Sequence, residues 1–421
     1  MRVIAIKARI TARRSDTVAS KFQRRCFLTS FRRRLNPTLR AKRRLALLLL
    51  PLLTPLLLRS AAAIKQPAKA PPELVIGQSA PFSGASAQTA KSYQEGLLAW
   101  FSEVNRRGGI HGRRLRLISL DDRYEPKLTL RNTRQLIEQQ QAIALIGFFG
   151  TANSKAILPL VEKVGISYVA PRTGAKALLR PYRPMVFNMR ASYQAEIDRV
   201  IDHLVRDGRH QVAVVHIKDA YGDDGLRSTK KALARHDLKP AAVAGVMRDS
   251  TNTNAAARQV VAANANAVLV IATFTTSASL SRDLYRLGSR AQLMNLSPVG
   301  IEGLQDALPA GQANGIGISQ VVPFPWNRRV PVVAQYQQLM QRQQTEAHYG
   351  YTSLEGFLAA RWLTAALDKA GPNPSRAKVV EAFRSLTNLD LGGFKLRLRP
   401  GNNQGSDLVE LTFLGSQRWG P

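Results

Sequence analysis

The chain of 421 residues carries 61 Lys and Arg against 28 Asp and Glu, a formal charge of +33, and has one cysteine, Cys26. The first 63 residues hold 16 of those cations and one acid, Asp16, leaving 45 against 27 in the remainder. There the charges are dispersed without a block of like sign, the pattern of a solvated arginine-rich surface rather than a nucleic-acid or membrane patch. Because Cys26 also falls in the N-terminal stretch, the rest of the chain can form neither a disulfide nor a thiolate metal site, and must be held by its core.

In chain order, a basic cluster from Arg40 to Arg44 precedes a fourteen-residue apolar run, Leu45 to Leu58, which Ser60-Ala61-Ala62-Ala63 follows. That is the layout of a secretory signal peptide. The run is shorter than the ~20 residues that span a bilayer, and Pro51 and Pro55 interrupt it, so residues 1–63 are expected to be a leader that sends the remainder to the periplasm. An exported chain has no ready supply of ATP, NADH or nucleic acid.

After a short linker ending at Pro72, Leu74 to Ile76 reads as a strand. A helix with Tyr93, Leu97, Trp100, Phe101 and Val104 on one face follows, ending at Gly108-Gly109. Further strands are expected at 115–120, 143–147, 167–170, 212–216, 241–246, 268–271 and 292–296. Helices fall at 126–140, 194–207, 222–236, 253–263 and 277–287. This alternation is the rhythm of βαβ units, with too many parallel strands for one small sheet, so two sheets are expected. Pro323-Phe324-Pro325-Trp326 breaks the rhythm as a crossover. Helices at 332–343, 353–369 and 376–386 come next, and a hairpin from Lys395 to Phe413 turning at Pro400-Gly401-Asn402-Asn403 closes the chain.

Catalytic signatures fail: there is no P-loop, nucleophile elbow, His-Glu-x-x-His or Cys-x-x-Cys, and the six histidines stand alone in the sequence. Asp121 and Asp122, adjacent on a strand, point to opposite faces and would not share a proton. No catalysis, cofactor or metal is expected.

Two segments carry a resemblance. Asn105-Arg106-Arg107-Gly108-Gly109-Ile110-His111-Gly112-Arg113, followed by Leu117, Asp121-Asp122 and Pro126, resembles the first lobe of periplasmic solute-binding proteins of the branched-chain amino-acid (Leu/Ile/Val-binding) type. Asp219-Ala220-Tyr221-Gly222 with Gly225 resembles the strand-to-helix turn of that family's second lobe. The likeness extends over residues 73–415. It implies the α/β type I periplasmic binding fold: two Rossmann-like lobes with parallel sheets joined by three crossovers, near 190–194, 320–326 and 387–392. Lobe 1 would be 73–190 plus 322–388, and lobe 2 191–321 plus 389–421.

Ligands of open α/β sheets bind beyond the carboxyl ends of the strands, where helix N-termini offer free N–H groups. By similarity to the family, Thr151 occupies the position whose hydroxyl and N–H hold a ligand carboxylate; the alternative is an ordinary helix cap, a role equally open to Asn153 or Ser154. Ser154 is also a ligand-binding candidate, and in the next turn so are Arg172, Thr173 and Gly174. The threonine there is displaced by one residue from the family pattern, and Arg172 either reaches the ligand's acid group or faces solvent. Tyr193, Tyr221 and Phe274 are candidate aromatic walls, with core packing as the alternative.

One departure concerns the ligand. Where amino-acid-binding relatives place a glutamate against the ligand's ammonium, this sequence has Val299, so either another acid such as Asp219 or Glu302 substitutes or the ligand is not a standard α-amino acid. The resemblance implies an exported component of an ABC importer. Its expected partners are a small amino-acid-like or carboxylate ligand and the permease subunits of the inner membrane, without nucleic acid, and the chain is expected to act as a monomer. The rival readings are a sensory module of the same fold signalling through a membrane receptor and, more remotely, an exported enzyme using the cleft.

Overall fold

The computed structural model describes residues 72–309, 311–343 and 349–415. The expected leader, its apolar run and the linker before Pro72 lie outside the described residues.

The first sheet is built from β1 (Leu74–Ala80), β2 (Leu115–Asp121), β3 (Ala144–Ile146), β4 (Ser167–Val169) and β5 (Val186–Phe187). Its spatial order is β2-β1-β3-β4-β5, and every pairing is parallel. The connecting helices are α1 (Ala87–Arg106), α2 (Pro126–Glu138), α3 (Thr151–Val164) and the single turn α4 (Lys176–Leu179). Local chemistry sets their ends. Pro126 opens α2, where its missing N–H costs nothing, and Gly165 closes α3 in the left-handed region at φ 69°.

The chain then enters a second βαβ series. In order this runs α5 (Tyr193–Arg206), β6 (Val212–Ile217), α6 (Ala220–Ala234), β7 (Ala242–Val246), α7 (Asn254–Ala262), β8 (Ala267–Ile271), α8 (Phe274–Arg286), β9 (Gln292–Asn295), α9 (Ile301–Asp306) and β10 (Gly317–Gln320). All residues of β6 and β8 are buried, as strands covered by helices on both faces must be. Ser192 caps α5 through the Ala195 N–H, and Asp219 caps α6 through the N–H groups of Tyr221 and Gly222.

Three further helices, α10 (Pro331–Gln343), α11 (Tyr351–Lys369) and α12 (Arg376–Ser385), return to the first sheet. Here α11 lies against α1, with Trp100 donating to the Thr364 hydroxyl at 2.7 Å. The expected closing hairpin does not form. The turn exists, with Asn402 N–H bonded to the Arg399 carbonyl, but its arms part. Leu389–Asp390 (β11) pairs with Lys395–Leu396 (β12), while Glu410–Phe413 (β13) runs antiparallel to β10 and completes a second sheet of order β13-β10-β9-β8-β6-β7. The physical reason is in the intervening segment. Asn403 and Gly405 exchange backbone hydrogen bonds with Asn188, and the Asn403 side chain donates to the Leu178 carbonyl, holding residues up to Gly405 on the side of the first sheet. The segment up to Gly405 thus stays beside the first sheet before β13 joins the second.

Candidate ligand-binding site

The carboxyl ends of both sheets face one cleft. The turns after β2, β3 and β4 bring Tyr124, Phe149 and Arg172 to it from one side; those after β7, β8 and β9 bring Arg248, Phe274 and Val299 from the other. Tyr193 and Tyr221 stand at the starts of α5 and α6. Together they bound a cavity of about 40 Å³.

Side-chain hydrogen bonds of two adjacent carboxylates fix the turn after β2. Asp121 accepts the N–H groups of Phe82 and Arg123 at 2.9 and 3.0 Å and the Ser83 hydroxyl at 2.6 Å. Asp122 turns the other way, to the hydroxyls of Ser79 and Thr129 and the N–H of Tyr124. The two carboxylates thus serve opposite faces, as the strand period requires. Between them they hold Arg123 and Tyr124 in the left-handed region, at φ 50° and 61°, which delivers the Tyr124 ring to the cleft. Burial pushes the Asp122 carboxyl up to about 6 despite those donors. Gly150, at φ 90°, begins α3 beside that ring; a Cβ there would lie 2.4 Å from the Tyr124 hydroxyl oxygen.

A web of buried charge forms the floor. Arg172 and Arg190 share Glu355 of α11, with Nε to carboxylate distances of 3.6 and 3.4 Å. Arg172 also donates to the Pro298 carbonyl and the Thr352 hydroxyl, at 3.3 and 3.4 Å, and its guanidinium lies 5.1 Å from the centre of the Phe149 ring. Arg190 donates to the Ser297 hydroxyl, and Glu196 accepts from the Ser297 N–H and the Ser319 hydroxyl. Burial lowers the Arg172 pKa, against the attraction of Glu355; at Arg190 the combined pull of Glu355 and Glu196 overcomes burial and raises it. Arg172 is therefore the less fully compensated cation of the two.

At the outer edge Arg248 pairs with Asp219 and stacks its guanidinium 3.9 Å from the centre of the Tyr124 ring, so a cation of the second lobe covers an aromatic face of the first. Tyr193 and Tyr221 pack at 5.0 Å with their planes tilted by 50°. The Tyr221 hydroxyl is buried without a hydrogen-bond partner, and burial raises its pKa, keeping it a neutral donor.

Of the residues singled out from sequence, Arg172, Tyr193, Tyr221 and Phe274 line the cavity. Thr151 and Thr173 lie behind that wall, hydroxyl to hydroxyl at 2.9 Å. Gly174 accepts the Tyr193 N–H, and a Cβ on it would fall 2.7 Å from the Ala191 carbonyl oxygen. Ser154 faces into the lobe, 2.8 Å from the Tyr168 hydroxyl. Asp219 and Glu302, the two acids considered in place of Val299, are otherwise engaged: Asp219 caps α6 and pairs with Arg248, and Glu302 accepts the Tyr351 N–H at 3.1 Å. Sequence reasoning missed Tyr124, Phe149 and Arg248. The signal was their position, each a bulky side chain in the turn after a parallel strand.

Among the described residues no cluster of His, Cys, Asp or Glu suits a metal ion, and no helix is long and apolar enough to cross a membrane.

Comparisons with known proteins agree with this architecture. Residues 73–412 match the family described as periplasmic binding protein. A substrate-binding periplasmic protein from Ralstonia solanacearum shares 30% identity at a TM-score of 0.78, covering 82% of this chain and 98% of that one. A possible leucine/isoleucine/valine-binding protein from Rhodopirellula baltica SH 1 shares 28% identity at 0.79, covering 84% and 96%. The "Amino acid binding protein" of Pseudomonas aeruginosa is 26% identical over 227 residues, 53% of this chain. The chain spans 60% of the length of that curated relative and 62% of a "Leu/Ile/Val-binding protein homolog 3" from Brucella melitensis. With the family matched from the first strand to the last and the cleft placed where two parallel sheets end, the chain belongs to the periplasmic binding proteins, in the type I fold of the branched-chain amino-acid-binding group.

Proposed function

We propose that this chain is the exported substrate-binding component of an ABC importer. It holds a small amino-acid-like or carboxylate ligand between its lobes in the periplasm and, as a monomer, presents the closed form to permease subunits of the inner membrane. The observation that carries this reading is the cleft itself. Turns from both sheets converge on one cavity with Arg172 and Arg248 on opposite walls, and aromatic rings back each guanidinium. Such a site binds and encloses; it has no arranged nucleophile, base and oxyanion donors. Arg172, Tyr193, Tyr221 and Phe274 serve as contacts. Thr151, Thr173 and Gly174 brace the turns that carry them, and Ser154 anchors α3 through Tyr168. Closure takes place about the chain crossings beside Arg190 and Pro323 and after Gly405.

Binding to the purified protein and uptake by cells lacking its gene test the reading together. A ligand at 100 times its Kd stabilises the folded state by about 2.7 kcal/mol, a shift of several degrees in Tm. Tyr221→Ala should weaken binding with the fold intact, and loss of the gene should abolish uptake of the same ligand. A ligand that binds tightly while its uptake is unchanged by the deletion would exclude the importer role.

A further inference from the structure

We propose that the ligand is a small monocarboxylate without an α-amino group, an aromatic one in preference, and that Arg172 receives its acid. This rests on the binding-protein reading above and narrows it to a substrate class.

The charge and hydrogen-bonding state of the cleft point to an acceptor. Fourteen residues bound the cavity, among them two arginines, five aromatic residues and no carboxylate. Two donors of that lining have unfilled capacity, although Arg172 is only 6% exposed and Tyr221 5%. Nε of Arg172 and the hydroxyl of Tyr221 have no hydrogen-bond partner. The remaining contacts of Arg172 are long, and it divides Glu355 with Arg190. A buried guanidinium in that condition gains most from a carboxylate, which accepts two parallel N–H bonds and supplies the missing charge.

An ammonium would find the reverse. None of the nearby acids lines the cavity: Asp219 caps α6 and pairs with Arg248, Glu302 accepts the Tyr351 N–H, and Glu196 spends one oxygen on Ser297 and Ser319 and has the other buried without a hydrogen-bond partner. An α-amino group entering the cleft would be stripped of water beside two guanidinium groups, with buried Val299 on the wall. The body of the ligand meets rings: Phe149 and Tyr124 under the two guanidinium groups and the Tyr193–Tyr221 pair across from them. Flat apolar groups suit such walls.

Calorimetric titration of the purified protein with pairs differing only in the amino group tests this directly: leucine against isocaproate, phenylalanine against hydrocinnamate, with benzoate as the ring alone. The amine-free member of each pair should bind at least about tenfold tighter, with the aromatic acids ahead of isocaproate. Val299→Glu, which puts an acid on the wall, should narrow or reverse the preference. If either amino acid binds as tightly as its partner, the substrate class is wrong while the binding-protein reading stands. If none of the five binds, the class falls and the cleft reading is weakened with it.

Discussion

Asp224 of α6 accepts a hydrogen bond of 3.0 Å from the backbone N–H of Lys176, the first residue of α4. A carboxylate of α6 thus meets the first turn of α4, and under the closure proposed above the bond belongs to the closed form. Asp224→Ala should therefore speed ligand release, about tenfold for a charge-assisted bond of this kind, with little change in Tm of the unliganded protein. Stopped-flow dissociation measures it; an unchanged off-rate would show that this bond does not contribute to closure.

Glu355 is the carboxylate between two buried guanidinium groups. Glu355→Gln leaves only the weaker pulls of Glu196 on Arg190 and of Glu302 on Arg172. Uncompensated buried charge costs about 3–5 kcal/mol, readable as a lower urea midpoint. Adding Arg190→Met to Glu355→Gln should return part of that loss, since the second change removes one of the stranded cations. A double variant no more stable than the single would place the cost elsewhere.

Asp122 predicts a pH dependence with a definite sign. Its folded-state pKa is raised to about 6, so the native state retains a proton that the unfolded chain has already released. Its contribution is greatest below the unfolded value, about 4, and is lost as pH rises through about 6, a difference on the order of 2–3 kcal/mol. Asp122→Asn should remove that part of the slope, so wild type minus variant falls between about pH 4 and pH 6 and is flat above. Parallel urea titrations across that range would refute the assignment if the difference were constant.

Helices α1 and α11 cross through two glycines. A Cβ at Gly96 would lie 1.8 Å from the Ser353 carbonyl oxygen, and one at Gly356 2.1 Å from the Tyr93 carbonyl oxygen. Alanine is the better helix former by about 1 kcal/mol, yet here it must push two backbones apart, so Gly96→Ala should lower stability by about 1–3 kcal/mol. A raised Tm would mean that the crossing relaxes without cost.

Much of this architecture was legible because parallel strands and amphipathic helices write their periods into the sequence. The runs in β6 and β8 and the apolar face of α1 are examples. What failed was short or non-local. Val186–Phe187 is too brief to show a period, and the separation of β12 from β13 depends on Asn188 accepting the Gly405 N–H across the molecule. At the site, Arg172 after β4 and the aromatic residues at helix starts, Tyr193, Tyr221 and Phe274, were readable. Tyr124, Phe149 and Arg248 had their place after strands as a signal, but that Arg248 and Tyr124 meet one another is visible in the fold alone. Thr151, a candidate by its resemblance to the family, has its hydroxyl turned to Thr173 in the fold.

The late arrival of α11 sets the order in which the molecule can assemble. The strands of the first sheet are complete once Phe187 has been made, and by then Tyr93 of α1 has Phe149 and the Ala170 carbonyl to meet, but the rest of its apolar face is not covered until α10 and α11 follow. The second sheet likewise waits for Glu410–Phe413 at its edge. Neither half can reach its final form as it emerges. Through much of synthesis α1 is thus only partly covered, and exposed apolar surface of that kind is what makes incomplete chains prone to aggregate.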